Sequence, residues 1–140
     1  MNKAEELADR LHSTAINLLR QVRVQDAATG IAPARLSALS VLVFGGHISL
    51  NGLARAEQVR PPTMSRIVDA LEAEALVRRR ANEQDRRAVV IEATEKGAAI
   101  LWLGRKRRVK FLAKHLSRLS DAERKQIANA VQAIQKAMMK

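Results

Sequence analysis

Apolar residues recur at helical spacing through most of the chain. The stretch from residue 61 to residue 74 shows the pattern clearly, because its apolar residues stand at i, i+3, i+4 and i+7: Met64, Ile67, Val68 and Leu71. Such a stripe is typical of an amphipathic helix. The same periodicity predicts helices over residues 3–27, 33–44, 50–57, 61–74 and 95–115, and a last helix after residue 120.

The periodicity changes after residue 75. Two short segments, 76–81 and 88–93, follow, and the second contains the β-favouring residues Val89, Val90 and Ile91. A polar stretch, residues 82–87, separates them. This arrangement predicts a β-hairpin with a charged tip.

Residues at the segment ends support these boundaries. Pro33 and Pro61-Pro62 favour helix starts, because the first amides of a helix have no internal acceptor. Gly45-Gly46 favours a helix end, and residues 47–49 are predicted to form a short link. Three hydroxyl residues are the predicted N-caps, the last of them in a capping box with Glu123: Ser49, Thr94 and Ser120.

Two short helices joined by a tight turn and followed at once by a basic hairpin indicate a winged helix-turn-helix. In that module the second helix enters the major groove of duplex DNA with its N-terminus first. Residues 61–74 are therefore the predicted recognition helix, and Arg66 is expected to bond guanine in a bidentate manner. The alternative is an ordinary solvated helix face. The residues predicted to face the groove are Pro62, Thr63, Ser65 and Arg66.

The hairpin tip supplies the second predicted contact. Arg86 and Arg87 stand where a wing meets the DNA backbone or the minor groove, whose negative potential attracts arginine. Asp85 is expected to orient a neighbouring guanidinium through a charge-assisted bond. The alternative is a solvated charge cluster with no DNA role.

The terminal helices lie outside this module, and each has an apolar stripe that one small winged helix does not cover. A second copy of the chain would cover the stripes and place two recognition helices about 34 Å apart on a palindromic site. The alternative is a monomer that folds these helices back on itself. The predicted dimerisation residues are Leu7, Leu11, Leu112, Leu116, Ile127, Val131, Ile134 and Met138.

The predicted fold is therefore mainly α with a small β-wing. One domain spans residues 1–140. Within it, residues from about 31 to 93 form the winged helix-turn-helix. Residues from about 3 to 27 and from 95 to 140 form the dimerisation helices.

Charge strengthens the DNA interpretation. The chain has 25 Lys and Arg against 14 Asp and Glu, a net charge of +11, which favours a polyanionic partner over a protein that is merely basic. Exposed aromatic platforms for single strands are not expected, since the aromatic residues are only Phe44, Trp102 and Phe111. Duplex DNA is the expected partner. The chain has no cysteine, which excludes disulfides and thiolate zinc sites.

Membrane insertion and secretion are not expected. The N-terminus lacks the apolar stretch of a secretory signal, and the most apolar short run, residues 39–44, is far shorter than the roughly 20 residues that span a bilayer. We therefore expect a cytoplasmic protein without a membrane partner.

Two other classes of protein compete with this interpretation. An enzyme is not expected, because His12, His47 and His115 are scattered and no catalytic, metal-binding or cofactor-binding motif is present. The alternative function is a winged-helix protein-interaction module without specific DNA binding. The basic run 105–108 belongs to the helix predicted over residues 95–115, and binding of DNA or a membrane through this helix is a further alternative. An ordinary solvated helix face also explains the run.

Several motifs resemble the MarR (multiple antibiotic resistance regulator) family over nearly the whole chain. The most specific match is the block from Thr63 to Glu72, after Leu53-Ala54 and before Leu76-Val77-Arg78-Arg79. The wing residues Asp85-Arg86-Arg87 match the family's D-x-R element, and Thr94-Glu95-Lys96-Gly97 matches the start of its fifth helix.

This resemblance implies a homodimeric transcriptional regulator, usually a repressor, on a palindromic operator. Asp85 would brace the wing, Arg87 would enter the minor groove, and a small, often phenolic, ligand would release the DNA. Three positions depart from the family pattern: Ala32 replaces a Thr cap, Ala75 a Gly and Ala93 a Leu. If position 75 needs a positive φ, the alanine costs about 1 kcal/mol. The sequence leaves the operator, the regulated genes, the ligand and the sign of regulation open.

Overall fold

The computed structural model describes residues Met1–Met139. Within these residues the elements follow the predicted order, with a short 3-10 turn and one additional strand. The helices are α1 (Lys3–Arg23), α2 (Pro33–Gly45), α3 (Leu50–Ala56), α4 (Pro61–Ala73), α5 (Glu95–Leu116) and α6 (Asp121–Met138). The strands are β1 (Ile48–Ser49), β2 (Val77–Ala81) and β3 (Val89–Ala93), and the 3-10 turn is Val24–Thr29.

The small sheet differs from the prediction by one strand. The segment predicted as a link after α2 contains β1, which pairs antiparallel with β3 through Ile48 opposite Ile91 and Ser49 opposite Val90. The strand order is β1-β3-β2. A strand of two residues is too short to show an alternating pattern of apolar and polar positions. The free edge of β3, with which β1 pairs, explains why this segment is extended.

The first helix is also shorter than predicted. It ends at Arg23, and the chain continues as the 3-10 turn Val24–Thr29 until Gly30, whose φ of +69° ends it. A 3-10 turn is a common way for an α-helix to end, and its spacing of apolar residues is close to that of an α-helix. The periodicity therefore did not distinguish helix α1 from the 3-10 turn that follows it.

The hydrophobic core lies in the winged helix-turn-helix. Side chains from α2, α3, α4 and the sheet meet there and exclude solvent completely or nearly so: Leu39, Leu53, Met64, Val68, Leu71, Leu76, Val77 and Ile91. This core determines which face of α4 is buried and which face is exposed to solvent.

The terminal helices contrast with that core. Helix α6 has no buried residue, and the N-terminal half of α1 is exposed. Large apolar side chains remain exposed on both helices, among them Leu7, Leu11, Val131 and Met138. No single helix between Met1 and Met139 is both long enough and apolar enough to cross a membrane.

Caps and backbone angles follow the sequence closely. Ser49, Thr94 and Ser120 each accept a backbone hydrogen bond as N-caps, and Ser120 completes its capping box with Glu123. Ala32, at the start of α2, offers no side-chain cap. Ala75 has a φ of +60°, the left-handed conformation in which an alanine is strained.

Candidate nucleic-acid interface

Helix α4 presents a polar face that begins at its N-terminus. Met64, Val68 and Leu71 anchor the opposite face in the core. Pro62, Thr63 and Arg66 are exposed and Ser65 is half-buried, so all four predicted groove-facing residues remain accessible. Helical spacing places Asp69 and Glu72 farther along the stripe that starts at Pro62 and Arg66.

The start of α4 is also electropositive. Its N-cap, Arg60, makes no side-chain capping bond, and the first turn contains no acidic residue. The partial positive charge of the helix dipole is therefore not compensated there. An anionic group such as a phosphate is favoured at that end.

Strands β2 and β3 form the wing, in register from Val77 opposite Ala93 to Ala81 opposite Val89. The backbone amide of Asn82 donates to the carbonyl of Ala88 at 2.9 Å and closes the hairpin. Asp85, Arg86 and Arg87 lie at the tip and are exposed.

The role of Asp85 differs from the expectation that it orients a guanidinium. Its Oδ1 accepts the backbone N–H of Arg87 at 3.1 Å, and its carbonyl oxygen accepts the N–H of Ala88 at 3.0 Å. Within residues 1–139 its carboxylate forms no ion pair with an arginine. A short side chain of this kind commonly closes a turn on its own backbone. Asp85 thus shapes the loop that presents Arg87.

Arg79 joins the wing to the recognition helix. Its guanidinium donates to the carboxylates of Asp69 and Glu72, each at 2.7 Å. The hydrogen bond to Asp69 is the main cause that raises the pKa of Arg79 above its ordinary value. Because Asp69 and Glu72 belong to the exposed stripe of α4, the bonds hold β2 beside that stripe.

The neighbouring arginines of β2 point to the other face of the hairpin. Arg78 and Arg80 both donate to Glu92 on β3. The bond from Arg80 is the largest cause that lowers the pKa of Glu92, and the bond from Arg78 is the second. The alternation of side chains along a strand explains why residues 78 and 80 share one partner and residue 79 has others.

A cavity of about 520 Å³ lies between the 3-10 turn, α2 and α5. Arg23, Arg108, Ser37 and Ser40 contribute polar groups to its wall, and Leu36 and Leu101 contribute apolar ones. Arg108 also donates to Asp26 at 2.7 Å, so one of the two cations is already paired. The cavity adjoins both the winged helix-turn-helix and the long helix α5.

The histidines show no site. His12, His47 and His115 are exposed, and among residues 1–139 no group of three or more His, Asp or Glu side chains is placed to hold a metal ion.

Comparison with known proteins decides the family. The MarR family model matches residues 31–89, from just before α2 to the first residue of β3. An HTH-type transcriptional regulator of Mycobacterium tuberculosis is 33% identical over 118 residues, 84% of this chain and 82% of that protein. The chain belongs to the MarR family.

Solved structures agree with this membership. A MarR family protein from Bacillus stearothermophilus is 27% identical and superposes with a TM-score of 0.82, over 100% of this chain and 99% of that one. A mutant of MepR from S. aureus, solved bound to an oligodeoxyribonucleotide, shares the fold at 18% identity, with a TM-score of 0.71 over 95% of this chain and 98% of that one.

The expected family and fold are therefore confirmed. As a MarR family member, the chain is a transcriptional regulator with a DNA-binding winged helix. The relative in M. tuberculosis is named as a regulator and not as an enzyme. The segment that matches the MarR model includes every residue predicted to contact DNA: Pro62, Thr63, Ser65, Arg66, Asp85, Arg86 and Arg87.

Sequence reasoning missed Arg79 as a structural link. It assigned no role to Asp69, Glu72 or Arg79. The available signal was the spacing of Asp69 and Glu72 on one helix face, close in sequence to three consecutive arginines on a strand. Because side chains alternate along a strand, only Arg79, the middle arginine, faces the helix. Which arginine this is depends on which face of the hairpin packs against α4.

Proposed function

We propose that this MarR family regulator is a homodimeric repressor that binds a palindromic operator through residues 31–93. The observation that supports it most directly is the position of β2, held by Arg79 beside the exposed stripe of α4. A helix and a wing kept side by side suit neighbouring grooves of one duplex.

The major-groove contact is assigned to the start of α4. Arg66 has no acidic partner among residues 1–139, so its guanidinium is available to guanine O6 and N7. Thr63 and Ser65 supply hydroxyls for phosphate or base edges, and Pro62 lies exposed at the helix start.

The minor-groove contact is assigned to the wing tip. Arg86 and Arg87 are exposed and without ion pairs in the part of the chain that the structure describes. Asp85 fixes the loop through the backbone of Arg87, which limits the conformations in which that side chain enters the groove. Preorganisation of this kind lowers the entropy lost on binding.

Dimerisation is assigned to residues 3–27 and 95–140, of which Lys140 lies outside the described residues. Most of the stability of a helix in a protein comes from packing of its apolar face, and no residue of α6 is buried in a single chain. A second copy would cover its apolar stripe. The proposed interface residues are the eight predicted from the sequence: Leu7, Leu11, Leu112, Leu116, Ile127, Val131, Ile134 and Met138.

A small aromatic ligand is assigned to the 520 Å³ cavity. Its volume suits a small molecule, its apolar wall suits a ring, and Arg23, which has no ion pair among residues 1–139, suits an acidic substituent. Because the cavity adjoins α5 and α2, an occupant there can shift the winged helix-turn-helix against the dimerisation helices and release the operator.

The test begins with selection of bound fragments from random duplex DNA by the full chain. We expect a palindrome with half-sites about one helical turn apart. Affinity for it should fall about 10³–10⁵-fold between 50 and 200 mM salt if roughly 6–10 phosphates are contacted. A promoter fusion with the operator then tests repression. Recovery of no enriched sequence would contradict the proposal and favour the protein-interaction module.

A further inference from the structure

The N-cap and first turn of α5 engage three consecutive carbonyl groups, that of Glu74, which caps the recognition helix, and those of the next two residues in the turn before β2. Lys96 Nζ donates to the carbonyl of Glu74 at 2.9 Å, and Thr94 Oγ1 donates to that of Ala75 at 2.6 Å. The backbone N–H of Thr94 donates to the carbonyl of Leu76 at 3.0 Å. Nothing in the DNA-binding site described above uses these bonds.

The first turn of α5 lies very close to the turn that follows α4. Gly97 is buried, and a Cβ added to it would lie 2.2 Å from the carbonyl oxygen of Leu76 and 3.1 Å from Leu39 Cδ1. Only a residue without a side chain allows this approach. The same Thr94 hydroxyl accepts the N–H of Gly97 at 3.1 Å, so one side chain caps α5 and bonds to the turn that follows α4.

Electrostatics favour the arrangement as well. Glu74 is the C-cap of α4, so its carbonyl lies at the negative end of the helix dipole, and the Lys96 ammonium compensates that charge. Between Glu74 and Thr94 the chain makes the whole wing. The junction is thus a direct connection between two helices that the sequence separates by a hairpin.

We propose that Thr94 and Lys96 are positioning residues that fix the recognition helix relative to α5 and thereby set the half-site spacing that the homodimer accepts. This inference rests on the proposed homodimer. Helix α5 extends for 22 residues from the junction into the dimerisation region. A change of angle at its first turn therefore moves each recognition helix with respect to the twofold axis.

The preference for native half-site spacing distinguishes a positioning role from a stabilising one. Residues that only stabilise the fold would leave this preference unchanged. One base pair inserted between half-sites moves them by about 3.4 Å and rotates them by about 35°. A rigid junction makes the native protein discriminate strongly against such operators, whereas a loose junction lets the recognition helices follow the displaced half-sites.

The experiment compares the full-length protein with Lys96→Met and Thr94→Val on operators whose central spacer is one base pair shorter, native or one base pair longer. We expect each variant to reduce the preference for native spacing by about tenfold, the equivalent of the hydrogen bond that it removes from the junction. Lys114→Met is the control for the loss of one α5 charge. Thr94→Ser, which keeps the donor and the acceptor, should restore the native preference.

A second measurement needs no DNA. Because the chain has no cysteine, spin labels attached through Ala73→Cys and Lys106→Cys report the distance between α4 and α5 within one chain, when labelled protein is diluted with unlabelled protein. We expect Lys96→Met to broaden this distance distribution and Lys114→Met to leave it narrow.

The outcomes separate the two proposals. Equal weakening on all three spacings, with an unchanged distance distribution, overturns the positioning role of Thr94 and Lys96. If the unsubstituted protein shows no preference for any spacing, the proposed homodimeric operator binding fails instead, and the spin-label distances still decide whether the junction holds the two helices.

Discussion

The guanidinium of Arg79 donates to the carboxylate of Asp69 at 2.7 Å and so ties the wing strand to the exposed stripe of the recognition helix. Asp69 is exposed and lies on the side of the helix where Arg66 also lies, because residues three apart are neighbours on a helix surface. The ion pair aligns the two elements to which the proposed function assigns adjacent grooves.

Loss of this ion pair is expected to lower both stability and operator affinity. Arg79→Gln and Asp69→Asn, combined in a double-mutant cycle of denaturant unfolding, should show a coupling of about 0.5–1 kcal/mol, because the pair is partly exposed. The matched control is Arg78→Gln, since Glu92 keeps its bond to Arg80. Strict additivity of the two substitutions would show that the pair does not join the elements.

Arg87→Ala should weaken operator binding strongly and leave thermal stability unchanged. Arg87 lies at the exposed wing tip, and the Asp85 carboxylate holds only its backbone N–H, which alanine retains. A gel-shift titration beside a thermal melt measures both quantities. Arg118→Ala removes the same charge from an exposed position between α5 and α6 and should bind almost normally. Equal affinities of the two variants would argue against a wing contact.

Arg66→Ala should relax sequence preference as well as lower affinity. A bidentate bond to guanine contributes roughly 1–3 kcal/mol of discrimination against other bases. Affinities for the operator and for single-base variants within each half-site locate the position at which discrimination is lost. A uniform loss across all sequences would assign Arg66 to a phosphate instead.

Val131→Asp should separate the two chains of the proposed homodimer. Val131 is 47% exposed in one chain and lies in the apolar stripe of α6, so a carboxylate there would be buried without a partner in a dimer. Sedimentation velocity should show a shift from dimer to monomer, accompanied by loss of palindromic binding. Asn129→Asp adds the same charge to the opposite face of α6 and should remain dimeric. A dimer that persists in Val131→Asp would place the interface elsewhere.

Ala75→Gly should stabilise the fold. The left-handed conformation costs an alanine roughly 1–2 kcal/mol, and glycine removes that strain at some cost in unfolded-state entropy, for a net gain of about 0.5–1 kcal/mol. Ala73→Gly, two residues earlier at the last position of α4, relieves no left-handed strain and should instead destabilise the fold slightly, because glycine is the poorer helix former. Chemical denaturation of both variants gives the comparison, and destabilisation by Ala75→Gly would contradict the assigned strain.

The amino-acid sequence by itself determined the order of the helices, their caps and the buried stripe of α4. Each of these depends on local rules: apolar spacing shows which face is buried, and a serine or threonine before a helix caps it. The accessible positions of the residues at the start of α4 and at the wing tip follow from the same rules, and their contacts with DNA stay predictions.

Only the tertiary structure decided which groups meet across the chain. Strand β1 forms because β3 offers a free edge, Asp85 bonds to backbone because its loop closes on itself, and Arg79 reaches Asp69 because that face of the hairpin packs on α4. Lys96 meets the carbonyl of Glu74 across 22 residues of sequence. Periodicity contains no information about such partners, since they depend on how packed elements are placed relative to one another.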